Sequence, residues 1–394
     1  MPKVPFQILP IIVIAQFCCT SLWFAGNAVM PELIQNFDLP VTAMGHLTSA
    51  VQLGFILGSL IFAFFTLSDR YSPSRLFFFS ALAGALFNLG ILWQDNNLIS
   101  LIILRFLTGL ALAGIYPVGM KIAADYYREG LGRSLGFLVG ALVLGTAFPH
   151  LIKEVTGKIE FKWDYVILTT SLLSLLGGIF ILLFIKDGPL IMRRTTPDFK
   201  LVSKIFRNRK FKSAAFAYFG HMWELYTFWA FIPVILILYR EVHPSVHFSI
   251  SFFSFLIIGA GALGCVIAGF ISEKAGVKKT AGAALLLSGL CCLLSPFILI
   301  QNSEEILVMF LILWGIMVVA DSPLFSTLVA RNTDPESRGT ALTIVNGIGF
   351  LITIFSIQIF SFISEFIDLY LLLPILALGP VFGLFHLLKT PRRI

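Results

Sequence analysis

The sequence has 394 residues, of which 58% are hydrophobic and only 12% are charged, and its formal net charge is +7. A soluble globular chain carries about 25% charged residues, so this chain lacks the polar side chains needed to cover a water-facing surface. We therefore exclude a soluble protein and expect one that folds in lipid. Its cysteines lie in apolar runs without metal-ligand spacing, so we predict helix packing for them and no metal site.

Membrane spans follow from the apolar runs, since a bilayer core about 30 Å thick needs roughly 20 apolar residues per helix. The first run is longer than the apolar part of a signal peptide and has no clear cleavage site, so we interpret it as a span. In chain order, the sequence predicts twelve spans at about 6–29, 43–66, 76–94, 98–123, 134–152, 165–185, 213–238, 248–271, 279–300, 306–329, 339–363 and 367–388.

Lysine and arginine residues predict the orientation of these spans, because cytoplasmic loops carry an excess of both. The even-numbered loops contain DRYSPSR, DYYREGLGR, SEKAGVKK and RNTDPESR, and the sixth loop, 186–212, is also basic. The odd-numbered loops hold few basic residues. We therefore expect both termini and the even loops in the cytoplasm, and we interpret the basic sixth loop as a positive-inside linker rather than a nucleic-acid site.

The two halves of the chain repeat each other. Asp69-Arg70 after the second span and Glu273-Lys274 after the eighth lie 204 residues apart. Gly109 in the fourth span matches Gly315 in the tenth, and matching charges also follow these two spans. Such regular offsets indicate two six-helix halves in parallel orientation. We predict an N-terminal bundle at 1–185, a linker at 186–212 and a C-terminal bundle at 213–394.

Over essentially its whole length the sequence resembles the major facilitator superfamily. That family carries a cytoplasmic signature once in each half. In the second half, GFISEKAGVKK at residues 269–279 matches it well; in the first half, FTLSDRYSPSR at residues 65–75 is a degraded copy. The resemblance implies an all-α integral membrane protein of twelve transmembrane helices in two pseudo-symmetric six-helix bundles. It also implies that charges around the signature gate the cytoplasmic side, and these are Asp69, Arg70, Arg133, Glu273, Lys274 and Arg338.

Three charged side chains lie clearly inside predicted spans: Arg105, Glu224 and Asp321. A charge at the centre of a membrane helix costs roughly 2.5–3.5 kcal/mol, so each is expected to face a watery cavity or a partner. In the family that the sequence resembles, the first, fourth, seventh and tenth spans line the central cavity. These three residues lie in the fourth, seventh and tenth.

Glu224 lies near the middle of the seventh span, and His221 is one turn away on the same face. We predict that Glu224, His221 and Asp321 exchange protons during transport, with Glu224 first among them. A static ion pair between Glu224 and Arg105 is the alternative for that carboxylate. Asp321 precedes Pro323, where the helix cannot complete its hydrogen-bond ladder, so the site can also be a simple kink.

The remaining candidates are a cation and a set of aromatic and polar side chains in the same spans. Arg105 can bind a carboxylate of the solute bidentately, or pair with Glu224. Aromatic rings can stack on a solute, although in membrane proteins they usually pack helices or face lipid. The predicted solute-binding residues are Arg105, Trp23, Asn27, Tyr116, Trp223, Tyr226 and Trp229.

We predict a secondary active transporter of the bacterial inner membrane that moves a small organic solute by alternating access, coupled to protons. One arginine and two carboxylates favour a cationic, zwitterionic or neutral solute. The alternatives are an organic-anion importer with Arg105 as carboxylate clamp, and a transporter-like solute sensor. The absence of P-loop, HExxH and GxSxG motifs argues against ATP drive and against an enzyme. We expect a monomer that contacts lipid, requires no cofactor and binds no nucleic acid.

Overall fold

The computed structural model describes residues 5–65, 67, 71–127, 131–157, 163–186, 206–333 and 338–389, and at residues 63, 124, 131–133 and 338–340 the description covers the backbone alone. Within this part of the chain the regular structure is entirely helical. The chain forms two compact units, residues 1–197 and 198–394.

The helices of the N-terminal unit are α1 Ile8–Thr20, α2 Ala25–Ala28, α3 Met30–Asn36, α4 Ala43–Phe64, α5 Pro73–Leu89, α6 Leu98–Leu112, α7 Tyr116–Tyr126, α8 Leu131–Gly157 and α9 Asp164–Phe184. Those of the C-terminal unit are α10 Arg209–Val242, α11 Ile250–Ala275, α12 Val277–Leu299, α13 Glu304–Ala320, α14 Ser322–Arg331, α15 Arg338–Ile363, α16 Leu369–Leu372 and α17 Leu378–Leu388. Short 3₁₀ helices follow α5 at Gly90–Leu92 and α16 at Leu373–Ala377.

These helices confirm the predicted membrane fold. Eleven apolar helical segments of the described chain are long enough to cross a bilayer, and the shorter apolar helix Ile8–Thr20 begins the first span. The polypeptide is therefore a multi-pass integral membrane protein. Side chains define where several spans start: Asn97, Asn208 and Ser303 accept backbone N–H bonds at the first turns of the fourth, seventh and tenth spans. Such caps satisfy donors that a helix end leaves without partners.

Within the described chain, four of the predicted spans contain more than one α-helix, and the last of them, at 367–388, contains the 3₁₀ helix Leu373–Ala377 between α16 and α17. The tenth span breaks between α13 and α14 at Asp321, as Pro323 led us to expect, and the fourth span breaks in the same way ahead of Pro117. Proline lacks the N–H that would continue the ladder. The first span, predicted at about 6–29, is also interrupted. It ends as an α-helix at Thr20 and resumes at Ala25, with Trp23 N bonded to Thr20 O in a tighter turn.

Glycines bring the second span against the fourth, and the eighth against the tenth, at equivalent places in the two units. A Cβ at Gly109 would lie 2.0 Å from the carbonyl oxygen of Val51, and a Cβ at Gly315 would lie 2.1 Å from that of Ile257. Both pairs are separated by the same offset, since 315 − 109 and 257 − 51 each give 206. Only a residue without a side chain allows this backbone contact. The repeat seen in the sequence therefore has a packing role in each unit.

The predicted gating charges are described only in part. Asp69 and Arg70 lie outside the described residues, as do the side chains of Arg133 and Arg338. Glu273 and Lys274 are exposed in the last turn of α11, which ends at Gly276 with a φ of 92°. That left-handed conformation favours glycine. The gating role stays a prediction.

Candidate functional site

Among the described residues, each unit buries polar and charged side chains close to a break in one of its spans. In the N-terminal unit, Arg105, Trp23, Asn27, Thr48 and Gln52 are all at most 6% exposed, and we call them the arginine cluster. In the C-terminal unit, the acid cluster comprises two groups of contacts, one around Glu224 and one around Asp321. Polar groups buried to this degree inside membrane helices require partners, because lipid offers none.

Arg105 is 1% exposed and connects the fourth span to the break in the first. Its Nη1 donates to the carbonyl oxygen of Leu22 at 3.1 Å, and its Nη2 donates to that of Trp23. The interruption of the helix leaves these carbonyls available, and the guanidinium satisfies them. Within the described part of its own unit, no carboxylate is within ion-pair distance of Arg105. A guanidinium carries five N–H donors, so this buried cation retains donors for a further acceptor.

The structure brings Trp23 and Asn27 close to Arg105. The ring of Trp23 packs on that of Phe55 in α4, with 4.9 Å between centroids. Asn27 donates from Nδ2 to Oγ1 of Thr48 at 2.7 Å, which fixes α2 against the start of α4. The residue between them, Gly26, lies so near Arg105 that an added Cβ would be 3.4 Å from Nε. Three residues predicted from the sequence as a solute site therefore share one cluster.

Glu224 is 1% exposed and accepts hydrogen bonds from the ninth and tenth spans. Trp314 donates from Nε1 to Oε1 at 2.6 Å, Ser288 from Oγ to Oε2 at 3.0 Å, and Cys292 from Sγ to Oε1 at 3.3 Å. Hydrogen bonds to a charged carboxylate are shorter and stronger than neutral ones. Glu224 thus binds α10 to α12 and α13 inside its own unit.

His221 and Asp321 form the second part of the acid cluster. Nδ1 of His221 lies 2.8 Å from Oδ1 of Asp321, and both residues are at most 1% exposed. The contact is close enough for an ion pair. Within the described chain, Nε2 of His221 has no hydrogen-bond partner. The pair therefore retains a free ring nitrogen at the break in the tenth span.

Side chains around this pair are aromatic, acidic or sulfur-containing. Tyr218 and Phe325 place their rings 5.7 and 6.0 Å from the His221 ring. Cys265 of α11, which donates to Val319 O, and Glu224 both interact electrostatically with Asp321.

The other predicted solute residues occupy different environments. Trp223 is half-buried and donates to the carbonyl oxygen of Ile375 at 3.4 Å, which directs its ring toward the last span. Tyr226 and Trp229 are buried and contact each other at 5.2 Å, and Tyr226 also contacts Phe350 of α15. Tyr116 is half-buried at the first position of α7. A role in solute binding stays a prediction for these four residues.

Sequence reasoning missed four polar members of the clusters: Thr48, Gln52, Ser288 and Cys292. Gln52 was visible as a lone amide in the apolar run AVQLGFILG, which is the same kind of signal that identified Glu224. Serine and cysteine give no such signal, because both are common in membrane helices. The pairing of His221 with Asp321 was not predicted either.

Two compact helical units, broken membrane helices and buried charges at the breaks define a membrane carrier built from a repeat. A model of the Major Facilitator Superfamily matches residues 12–356 and matches again at residues 214–393. The chain belongs to this superfamily.

Relatives and a solved structure agree with that assignment. The chain is 24% identical to an uncharacterised transporter of Buchnera aphidicola, over 44% of this chain and 41% of that protein. It is 24% identical to the hexuronate transporter of Bacillus subtilis, over 70% of this chain and 67% of that protein. It is also 25% identical to the 4-hydroxybenzoate transporter PcaK of Pseudomonas aeruginosa, over 42% of this chain and 36% of that protein.

The fold is similar to a crystal structure of a bacterial homologue of the human lysosomal transporter Spinster, in an inward-facing and occupied conformation. The TM-score is 0.73 at 14% identity, and the match covers 97% of this chain and 96% of that chain. At this level of identity, the likeness shows the fold alone. The matched segments span less than half the length of the Buchnera and Pseudomonas relatives.

Proposed function

We propose that the protein is a proton-coupled secondary transporter of a small organic carboxylate. The observation that carries this proposal is Arg105, a fully buried cation whose own unit offers it backbone carbonyls and, among the described residues, no carboxylate. A buried charge of this kind is expensive unless an opposite charge meets it. A solute carboxylate supplies that charge and fits the planar fork of the guanidinium.

The relatives favour the same class of solute. Hexuronate and 4-hydroxybenzoate, named for two of them, are organic anions with one carboxylate each. The charge sum of the sequence favoured a cationic, zwitterionic or neutral solute, because it counted Glu224 and Asp321 together with Arg105 as one site. Glu224 instead accepts three hydrogen bonds within its own unit, and Asp321 contacts His221. The organic-anion alternative therefore becomes the preferred one.

Uptake of an anion requires a compensating cation. A membrane potential that is negative inside opposes entry of one negative charge by about 2.3 kcal/mol per 100 mV. One proton carried with the carboxylate cancels that opposition, and the proton gradient then drives accumulation. We assign the proton to the pair of His221 and Asp321, because Nε2 of His221 has no partner among the described residues and can bind it.

Protonation alters the pair in a way that can drive a conformational change. With His221 neutral and Asp321 ionised, the pair holds no transported proton; when His221 binds one proton it becomes a cation, and the two side chains then attract as an ion pair across 2.8 Å. The pair lies at the break between α13 and α14, where the backbone ladder is already interrupted. A proton therefore changes the interaction between the seventh and tenth spans. Alternating access follows if the two protonation states favour different conformations.

The test measures two activities of protein reconstituted in liposomes. One is accumulation of labelled 4-hydroxybenzoate or glucuronate driven by a pH gradient, and the other is exchange at equal solute concentrations without a gradient. Asp321→Asn is expected to abolish accumulation and retain exchange. The matched control is Glu365→Gln, which neutralises an exposed carboxylate of the same unit and should leave both activities intact.

Three outcomes would argue against the proposal. Accumulation by Asp321→Asn would place the coupling elsewhere, with Glu224 the next candidate. Uptake that is equal with and without a pH gradient in the unsubstituted protein would exclude proton drive. Binding of carboxylates without any transport would favour the solute-sensor alternative.

A further inference from the structure

Two glutamine side chains in the N-terminal unit are buried without using their amides. Gln16 and Gln52 are both 0% exposed, and neither the nitrogen nor the oxygen of either amide has a hydrogen-bond partner among the described residues. Burial of an unpaired amide is unfavourable, and buried polar side chains nearly always have partners. Each amide is therefore expected to bind something that is not part of the fold.

Contacts on both sides of Gln52 place it beside the break in the first span. One turn before it, Thr48 receives the hydrogen bond from Asn27, so this face of α4 is directed toward α2. Residues four apart in a helix share a face, and Gln52 therefore has the same direction as Thr48. One turn after it, Phe55 packs on Trp23. Gln52 thus lies between these two contacts.

The same stretch of the first span carries Arg105. The guanidinium donates to the carbonyl oxygen of Trp23, and Gly26 contacts it directly. The fourth span also packs on this turn of α4, because Gly109, one turn from Arg105, contacts the backbone of Val51. The unpaired amide of Gln52 and the buried guanidinium of Arg105 therefore both lie beside the break in the first span, within the N-terminal unit.

We propose that Gln52 is a specificity-determining residue that binds a hydroxyl group of the carboxylate held by Arg105. The inference rests on the proposed carboxylate transport and narrows the substrate class to hydroxy-carboxylates. A carboxamide offers both a donor and an acceptor, and a hydroxyl group is both an acceptor and a donor, so the two can be joined by a hydrogen bond in either direction. An analogue without the hydroxyl leaves the amide unpaired, and such sites discriminate strongly.

The experiment compares matched solutes that differ by one hydroxyl group. Binding of 4-hydroxybenzoate and benzoate, and of lactate and propionate, is measured on the purified full chain by ligand-induced thermal stabilisation. In the unsubstituted protein, the hydroxylated member of at least one pair should bind about tenfold more tightly, which is the contribution of one hydrogen bond. Gln52→Met keeps the length of the side chain, and should reduce this ratio to below about twofold.

Gln16→Met is the matched control, because it removes an equally buried and unpaired amide from the same unit. Gln16 faces Gly119 of the fourth span, where an added Cβ would lie 2.5 Å from Oε1 of Gln16. It lies in α1, seven residues before Trp23 along the chain. This control should retain the tenfold ratio. Both variants should melt at or above the temperature of the unsubstituted protein, since each removes an unpaired polar group.

Each other outcome overturns the inference. Equal binding of both members of each pair by the unsubstituted protein would show that no hydroxyl is recognised. An unchanged ratio in Gln52→Met, with lower thermal stability, would show that the amide holds a structural water instead. If neither these four carboxylates nor glucuronate binds, the proposed function itself fails, which is distinct from binding without discrimination.

Discussion

The three donors around Glu224 differ in length and chemistry, and they should therefore contribute unequally to stability. A hydrogen bond to a charged group contributes about 1.5–3 kcal/mol. Trp314 at 2.6 Å is expected near the upper end of that range and Ser288 at 3.0 Å near the lower end. Cys292 at 3.3 Å donates from a weak S–H group and should contribute less than about 1 kcal/mol.

The substitutions that test this order are Trp314→Phe, Ser288→Ala and Cys292→Ala. Phenylalanine retains most of the packing of Trp314 on Phe228, whose ring centroid is 4.5 Å away, so the lost N–H dominates the change. The free energy of unfolding in detergent, measured by chemical denaturation, should fall by about 3, 1.5 and below 1 kcal/mol respectively. Trp223→Phe is the control, because it removes a long 3.4 Å bond to a neutral carbonyl and should reduce stability by less than about 1 kcal/mol.

A second background makes the test specific for the carboxylate. On Glu224→Gln the acceptor is neutral, so removal of the Trp314 donor should cost only about 1 kcal/mol. The two substitutions should therefore deviate from additivity by more than about 0.5 kcal/mol, the limit for independent sites. Additive effects, or a loss at Cys292 as large as that at Trp314, would refute the view that a charged Glu224 holds these helices together.

Three further predictions follow from the described contacts. Gly109→Ala should destabilise the protein by about 1–3 kcal/mol, because the new Cβ would overlap a backbone carbonyl. Its control is Gly136→Ala, which has open space around the new Cβ and should be neutral or stabilising. Thermal melting measures both variants. Glu32→Gln should change the free energy of unfolding by less than about 1 kcal/mol, since its 2.8 Å pair with Lys153 is partly exposed and screened by solvent. Glu273→Gln should alter the ratio of inward-facing to outward-facing protein, measured by cysteine accessibility, without altering solute affinity; an unchanged ratio would remove the gating role.

Comparison of Glu224 with His221 shows how far a local pattern can predict a site. Their spacing of three residues correctly placed both on buried parts of one helix, and suggested that they act together. The structure instead directs Glu224 to donors on α12 and α13, and His221 to Asp321. Spacing within a helix fixes which face a residue occupies, but the neighbouring helix at that height determines its partner.

The first span gives the same lesson for the backbone. Its composition is apolar over about 24 residues, and we predicted a membrane span there without locating a break. The α-helix ends at Thr20, and Arg105, more than 80 residues away, donates to the carbonyls of Leu22 and Trp23 at the break. An interruption held from another helix leaves no local signal of the kind that Pro117 and Pro323 give.

The sequence by itself determined that this is a membrane protein of repeated halves, and that Arg105, Glu224 and Asp321 are the charges to explain. Hydropathy, offsets between repeats and the presence of a charge in an apolar run are all properties that can be counted along the chain. Only the tertiary structure decided that Asp321 meets His221, and that Gln52 lies unpaired at the level of Arg105. Helices distant in sequence pack at heights set by glycine contacts and helix breaks, and those heights determine which buried polar groups meet.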